Sequence, residues 1–243
     1  MHPHKTKNIP FPEFFNLSIF QEIANLRTTN PSDFAKWNIR RSRNPGKVYH
    51  FGVEPHACLI DRGSRILMVA HVDTVIDTGG LSSVSDSRLH HPAIDNRLGV
   101  YLGLHLLPLM GLDCDLLLST DEEVGASTAA AFRPNRPHHY HWMFSFDRGG
   151  EDLVLYQYTC DALISILKKS GFVVGKGTYS CISELTHLGI AGVNFGAGMH
   201  DYHTPDAYCD LRQLNRQLLR FKRFYVAHAH HHLPYRGLKV CEF

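Results

Sequence analysis

The run RILMVAHVD, Arg65 to Asp73, decides how the rest of the chain is read. Its apolar residues continue unbroken from Ile66 to Ala70 before His71 and Asp73 appear. A strand with one wet face alternates apolar and polar residues, whereas an unbroken run is covered on both faces. The run is therefore a buried strand, and its end carries an imidazole and a carboxylate.

Outward from this strand, strands and helices alternate. KVYHFGV and ACLID precede it as strands, plausible as an antiparallel pair. NRLGVYLGLHLLPLM follows with helical spacing, DCDLLLST is a strand, and GASTAAAF starts a helix. HWMFSFD and LVLYQY read as strands, CDALISILKKSG as a helix ended by Gly171, and AGVNFGA as a strand. DLRQLNRQLLRFKRFYVAHAHHH is the long closing helix. Before all of these, residues 1–45 form a helical cap. One helix there carries Phe20, Ile23 and Leu26, and a second is opened by Ser32 or Asp33. The expected class is α/β, a three-layer α/β/α sandwich around a mixed, largely parallel sheet. With no internal repeat and no linker, residues 1–243 are expected to form one domain.

The totals narrow the function. The chain has 243 residues, 44% hydrophobic and 20% charged, enough for a normal core. A net charge of +2 favours neither nucleic acid nor an anionic membrane as partner. The six cysteines include no CxxC pair, which fits reduced thiols in the cytoplasm rather than a disulfide framework. The opening MHPHKTKNIPFPEFF lacks the apolar segment of a secretory signal, and no run reaches the ~18 apolar residues of a membrane span. The 18 histidines cluster partly in HHYH and HAHHH. The second cluster, His228 to His232, is expected to be a solvated helix end.

In a parallel sheet, ligands gather at the carboxyl ends of the strands. RILMVA ends in His71 and Asp73, DLLLST in Asp121, Glu122 and Glu123, HWMFSF in Asp147, and GVNFGAGM in His200 to His203. Asp95 opens a helix after HHPAI. One acidic turn is unremarkable. Four such strand ends and a fifth acid, if they converge, require cations among them. Oxygen and imidazole donors without thiolate suit zinc, with manganese or cobalt as substitutes. His71 can ligate while Asp73 fixes its ring. In STDEEVG, Glu123 can ligate while Glu122, pointing the other way, holds a proton.

Taken together, AHVDTV, AIDNRLG, STDEEVG, FDRGG and YHTPDAY occur in the order and spacing of the co-catalytic di-zinc exopeptidases. That family includes the zinc aminopeptidases, peptidase T and the glutamate-carboxypeptidase-like enzymes, and the chain resembles it over about residues 65–212. The resemblance implies two zinc ions per chain. His71, Asp95 and Asp147 would hold one. Asp95, Glu123 and His203 would hold the other, with Asp95 bridging. Asp73 would orient His71. Glu122 would be the base for a metal-bridging water and then the acid for the leaving amine. A cis peptide after Asp95 is also implied.

The implied activity is amide hydrolysis of small peptides by an aminopeptidase. A carboxypeptidase or an N-acyl amino acid deacylase uses the same site. A one-zinc glutaminyl-cyclase-like enzyme and a non-catalytic relative are the remaining readings. The substrate would be a small peptide or N-acyl amino acid, and a homo-oligomer is compatible. Many relatives insert a lid domain. The interval from Asp147 to His203 must already hold a strand, a helix and a strand, so none is expected, and specificity falls to loops 74–93 and 175–187. Arg148 is a candidate for a substrate carboxylate or for a surface ion pair. Tyr202 is a candidate oxyanion donor or a packed ring. Cys181 stands where relatives carry aspartate, and either alters specificity or packs. Gly149 and Gly150 allow a tight turn, and His203 is preferred over His200 as ligand.

Overall fold

A computed structural model describes residues 15–42, 44–53, 56–76, 79–134 and 139–235. The opening residues 1–14 of the expected cap, His138 of the first histidine cluster and Cys241 lie outside them.

The element order begins with α1 (Leu17–Ala24) and α2 (Pro31–Arg41). Then come strands β1 (Lys47–Phe51), β2 (Ala57–Asp61), β3 (Ile66–His71), β4 (Ser83–Ser85) and β5 (Arg88–His90). Helix α3 (Ile94–Tyr101) continues through a π-turn, Leu102–Leu106, into α4 (Leu107–Leu109). Next are β6 (Asp115–Ser119), β7 (Trp142–Phe146), β8 (Leu153–Val154) and α5 (Asp161–Lys169). The chain closes with β9 (Gly192–Phe195), β10 (Met199–His200), β11 (Tyr208–Asp210) and α6 (Leu211–His228).

The main sheet has seven strands in the order β1-β2-β6-β3-β7-β9-β8. Its central strands β6, β3, β7 and β9 are mutually parallel, with antiparallel strands flanking them. The expected antiparallel pair of β1 and β2 is present, in register from Lys47 opposite Asp61 to Phe51 opposite Ala57. The mixed, largely parallel α/β sheet stands as read from the sequence.

Strand β3 is buried along its whole length. Ile66, Met68 and Ala70 face one core with Phe20, Phe34, Leu98, Leu163, Leu218 and Phe221. Leu67 and Val69 face another with Ala129, Phe132, Ile182 and Leu185. Helices α1, α2, α3, α5 and α6 all contribute to the first core. The second face is covered by 3-10 segments, Thr128–Ala131 and Cys181–Leu188. GASTAAAF thus makes only a short 3-10 turn, because Pro134 disfavours helix at Arg133 and the run stops. The helix-to-sheet approach on the first face is close. A Cβ on Gly103, inside the π-turn, would stand 2.8 Å from Leu116 and 3.0 Å from the sulfur of Met68.

Several boundaries differ from the sequence reading. Helix α2 is capped by Asn30, whose side chain accepts from the Ser32 amide, with Pro31 at the first turn, so neither Ser32 nor Asp33 opens it. Leu26 lies beyond the end of α1, though it still packs on the core. LVLYQY is strand only at Leu153–Val154, and Tyr156–Tyr158 turns into a 3-10 segment. Helix α6 stops at His228, leaving His230 to His232 outside it. A second, four-stranded sheet, β10-β11-β5-β4, was not foreseen. It matters because its β10–β11 connection carries His203, and its β5 leads into Asp95. Among the described residues, no helix is long and apolar enough to cross a membrane.

Candidate metal centre

Because β6, β3 and β7 are parallel and adjacent, their carboxyl ends deliver His71, Glu122, Glu123 and Asp147 to one place. Asp95 arrives from the start of α3, and a cis peptide joins it to Asn96. His203 arrives from the β10–β11 connection. Asp121, Asp201 and His203 have positive φ angles of 63°, 50° and 66°. A left-handed backbone at a non-glycine residue costs roughly 1–2 kcal/mol, and these turns are where the site side chains are aimed.

The distances link both imidazoles to the carboxylates. His71 Nδ1 lies 3.1 Å from the backbone oxygen of Asp73 and 3.4 Å from Asp73 Oδ1. A carbonyl oxygen only accepts, so Nδ1 carries the proton and Nε2 faces the cluster. Nε2 is 3.1 Å from Asp147 Oδ1, 3.4 Å from Asp95 Oδ1 and 3.7 Å from Glu122 Oε2. His203 Nε2 is 3.2 Å from Asp95 Oδ2 and 3.0 Å from Glu123 Oε2. Asp95 thus turns one oxygen to each imidazole. Asp73 Oδ2 accepts from the Glu123 amide at 3.1 Å, tying the His71 side to the glutamate turn.

The charges are under strain without a cation. Burial, with Asp147 next, pushes Glu122 up to about 7. Burial, with Asp95 among the opposing carboxylates, brings Glu123 to about 7. Burial outweighs the pull of His71 and raises Asp147 to about 6. Burial opposes charge on His71, yet Asp147, Asp73 and Asp95 raise it well above the usual imidazole value. Hydrogen bonding to Asp95 raises His203. Asp95 is held low, because its two histidines overcome its burial. Asp95 Oδ1 and Glu123 Oε1 are buried without a hydrogen-bond partner. Buried oxygens of this kind, facing imidazole nitrogens with no thiolate nearby, fit divalent cations. His71, Asp95 and Glu123 form one set of converging donor atoms, and His71, Glu122 and Asp147 another.

A pH dependence follows. In the metal-free protein, Glu122, Glu123 and Asp147 keep protons that the unfolded chain releases at its ordinary carboxylate values. Stability present at low pH is therefore lost as pH rises through about 7. His71, raised, acts in the same direction above 6.5. Asp95 and Asp73, held low, contribute stability that is lost only as pH falls below the ordinary 3.8, outside this window. The melting temperature of chelator-treated protein is expected to fall between about pH 5 and pH 8, and zinc is expected to reverse the fall. A rise over the same interval would contradict this electrostatic picture.

The cluster lines a cavity of about 370 Å³, with Gly125, Arg148, Gly149, Tyr156, Gly177, Thr178, Tyr179 and Tyr202. A larger cavity of about 580 Å³ opens at the other end of the sheet beside Lys47, Arg62 and Asp115. Its buried Asp115 is already satisfied by the Arg62 and Ser64 amides and the Tyr140 hydroxyl.

Arg148 lines the site, but its guanidinium holds Asp152 bidentately at 2.6 and 2.7 Å. Tyr202 is 45% exposed and sets its ring edge-on to His203 at 5.1 Å. Cys181 is 1% exposed, accepts from Ser119 Oγ at 3.1 Å and does not line the cavity. Its burial pushes the thiol up to about 12. Cys181 packs in the second core. His200 stacks on Tyr208 at 5.0 Å and pairs with Gln213 at 3.1 Å, away from the cluster.

Three residues here were not read from the sequence. Asn194 accepts the Asp147 amide and donates to the Asp147 carbonyl, both at 3.1 Å. Ser180 Oγ donates to Asp147 Oδ2 at 3.1 Å, and Tyr156 lines the cavity. The one available signal was Asn194, a polar residue inside the apolar strand AGVNFGA.

The sequence matches no protein-family profile and no curated protein. Its fold does match solved structures. One is the aminopeptidase PepT from Bacillus cereus, with a TM-score of 0.66 and 11% identity over 87% of this chain and 98% of that one. A tripeptidase from Staphylococcus aureus matches with a TM-score of 0.63 and 10% identity over 88% and 97%. An aminopeptidase from the archaeon Desulfurococcus kamchatkensis matches with a TM-score of 0.61 and 13% identity over 87% and 94%. The chain therefore has the zinc exopeptidase-like fold that these enzymes share.

Proposed function

We propose that the protein is a two-metal exopeptidase, an aminopeptidase acting on small peptides. The observation that carries this reading is Asp95, whose two oxygens face His71 and His203 separately at 3.4 and 3.2 Å. His71, Asp95 and Asp147 would hold one zinc, and Asp95, Glu123 and His203 the other, with manganese or cobalt as substitutes. When bound, such ions polarise an amide carbonyl and acidify water. Glu122 would take the proton of the attacking water and pass it to the leaving amine. Asp73 would hold the His71 ring and the glutamate turn together.

The cavity favours an amine over a carboxylate at the substrate end. The arginine on its wall, the group suited to a substrate carboxylate, is already committed to Asp152. Peptidase activity in the structural neighbours points the same way. We further propose one catalytic unit without a lid, with selectivity set by loop 175–187, whose Gly177, Thr178 and Tyr179 line the cavity. Free thiols at Cys58, Cys114, Cys160, Cys181 and Cys209 fit the cytoplasm.

The test is a panel of di- and tripeptides, amino acid amides and N-acyl amino acids with zinc-loaded protein. Peptides with a free amino terminus are expected to be cleaved and their N-acetylated forms spared. Cleavage of N-acyl amino acids alone would replace this reading with a deacylase.

A further inference from the structure

We propose that Arg97 is a positioning residue: through it the connection between α1 and α2 holds Asp95 in place, and docking of those helices is coupled to loading of the metal centre. The inference rests on the two-metal reading above. It adds residues 25–28, which lie outside the stretch that carries the family motifs. Asp95 enters the cluster between two gripped flanks. Before it, His91 is 1% exposed, and its Nδ1 accepts the Ala93 amide at 3.1 Å. Burial, with the charge of Arg97 next, lowers this ring to about 4, so it is neutral at neutral pH and its one proton sits on Nε2. Nε2 donates to Asn25 Oδ1 at 3.3 Å.

After Asp95 comes Arg97, also 1% exposed. Its Nη2 donates to the carbonyls of Leu26 at 3.1 Å and Thr28 at 3.0 Å, both in the α1–α2 connection. Its Cζ lies 4.5 Å from the ring centroid of Phe34, in α2. Residues 25–28 thus hold the chain on both sides of Asp95. A buried guanidinium is rare and needs compensation. Nε and Nη1 are buried without a hydrogen bond. The carboxylate that supports the charge against burial is Asp73, which holds the His71 ring and the Glu123 amide. One buried cation therefore acts on both the N-terminal helices and the framework of the metal centre.

The link runs in both directions. Whatever the docked helices contribute to zinc affinity, bound zinc returns to the docking. Helix α1 has a second anchor on α3, where the Asn16 amide donates to the Tyr101 hydroxyl at 2.9 Å. Loss of Arg97 therefore loosens the grip on Asp95 without releasing α1.

The experiment measures zinc affinity, melting temperature and amide hydrogen exchange over residues 17–41, each with zinc and with chelator. It compares wild type, Arg97→Met, Arg97→Lys and Asn25→Ala. In wild type, zinc is expected to slow exchange over residues 17–41, none of which is a proposed ligand. Arg97→Met is expected to weaken zinc binding by about 10-fold or more and to abolish that slowing. Arg97→Lys keeps the charge but lacks the planar fork, and is expected to fall between Arg97→Met and wild type. Asn25→Ala removes one grip only, so a smaller loss in the same direction is expected. An Arg97 that merely supports the fold would lower the melting temperature equally with and without zinc, whereas the positioning role shrinks the zinc-dependent rise. Unchanged zinc affinity in Arg97→Met overturns the assignment. Should Arg97→Met fail to fold, unchanged affinity in Asn25→Ala does so. A wild type that binds no zinc overturns the two-metal reading as well. A wild type that binds two zinc ions while exchange over residues 17–41 ignores them overturns this assignment alone.

Discussion

Replacing Glu122 with glutamine is expected to leave metal content unchanged and lower kcat by about 10³- to 10⁴-fold. The two side chains have nearly the same shape, so the cavity keeps its form. What disappears is a group able to take a proton and return it. Glu122 Oε2 stands 3.7 Å from His71 Nε2, inside the cluster but farther from that nitrogen than Asp147 or Asp95. The substitution also removes one of the mutually repelling carboxylates. The fall in melting temperature between pH 5 and pH 8 in chelated protein is therefore expected to be shallower in Glu122→Gln than in wild type. Retained turnover, measured on the best substrate of the panel, would exclude Glu122 as the base.

The second large effect concerns Asp95→Ala. A ligand present at 1,000 times its Kd stabilises the native state by about 4 kcal/mol. For a chain of this size that is roughly 8–16 °C in melting temperature per ion. Asp95 supplies one oxygen toward each imidazole, so its loss is expected to remove most of the increment from both ions at once. In the metal-free protein the effect should be small, because the lost contacts to His71 and His203 are offset by relief of repulsion among Glu122, Glu123 and Asp147. The measurement is the melting temperature of wild type and variant with zinc and with chelator. A full zinc-dependent rise in Asp95→Ala would show that the ions, if bound, sit elsewhere.

The central strands were legible because burial on both faces writes itself as an unbroken apolar run, as in Ile66–Ala70 and Leu116–Leu118. The gathering of His71, Glu123 and Asp147 was legible for a related reason, whereas Asp95 and His203 arrive from a helix start and from a connection of the small sheet. Parallel neighbours place their carboxyl ends side by side, so charged residues at those ends must meet.

The small sheet was not legible. Strands β4, β5, β10 and β11 have only two or three residues each, too short for a period to show, and their pairing spans Ser83 to Asp210. The helical layer on the second face was misjudged in kind, because Thr128–Ala131 looks helical until Pro134 ends it. Around the site, Ser180 and Tyr156 escaped notice because their roles come from folding distant turns onto Asp147. Arg148 shows the complementary limit. It was read as either a carboxylate binder or half of an ion pair, and only the position of Asp152 assigns its guanidinium.

Whether cations neutralise the carboxylate cluster is tested directly by metal analysis of purified protein titrated with zinc after chelation. Two ions per chain in wild type, with both lost in Asp95→Ala, is the expected result. A wild type that takes up no zinc, or that keeps its zinc when Asp95 is removed, would contradict it.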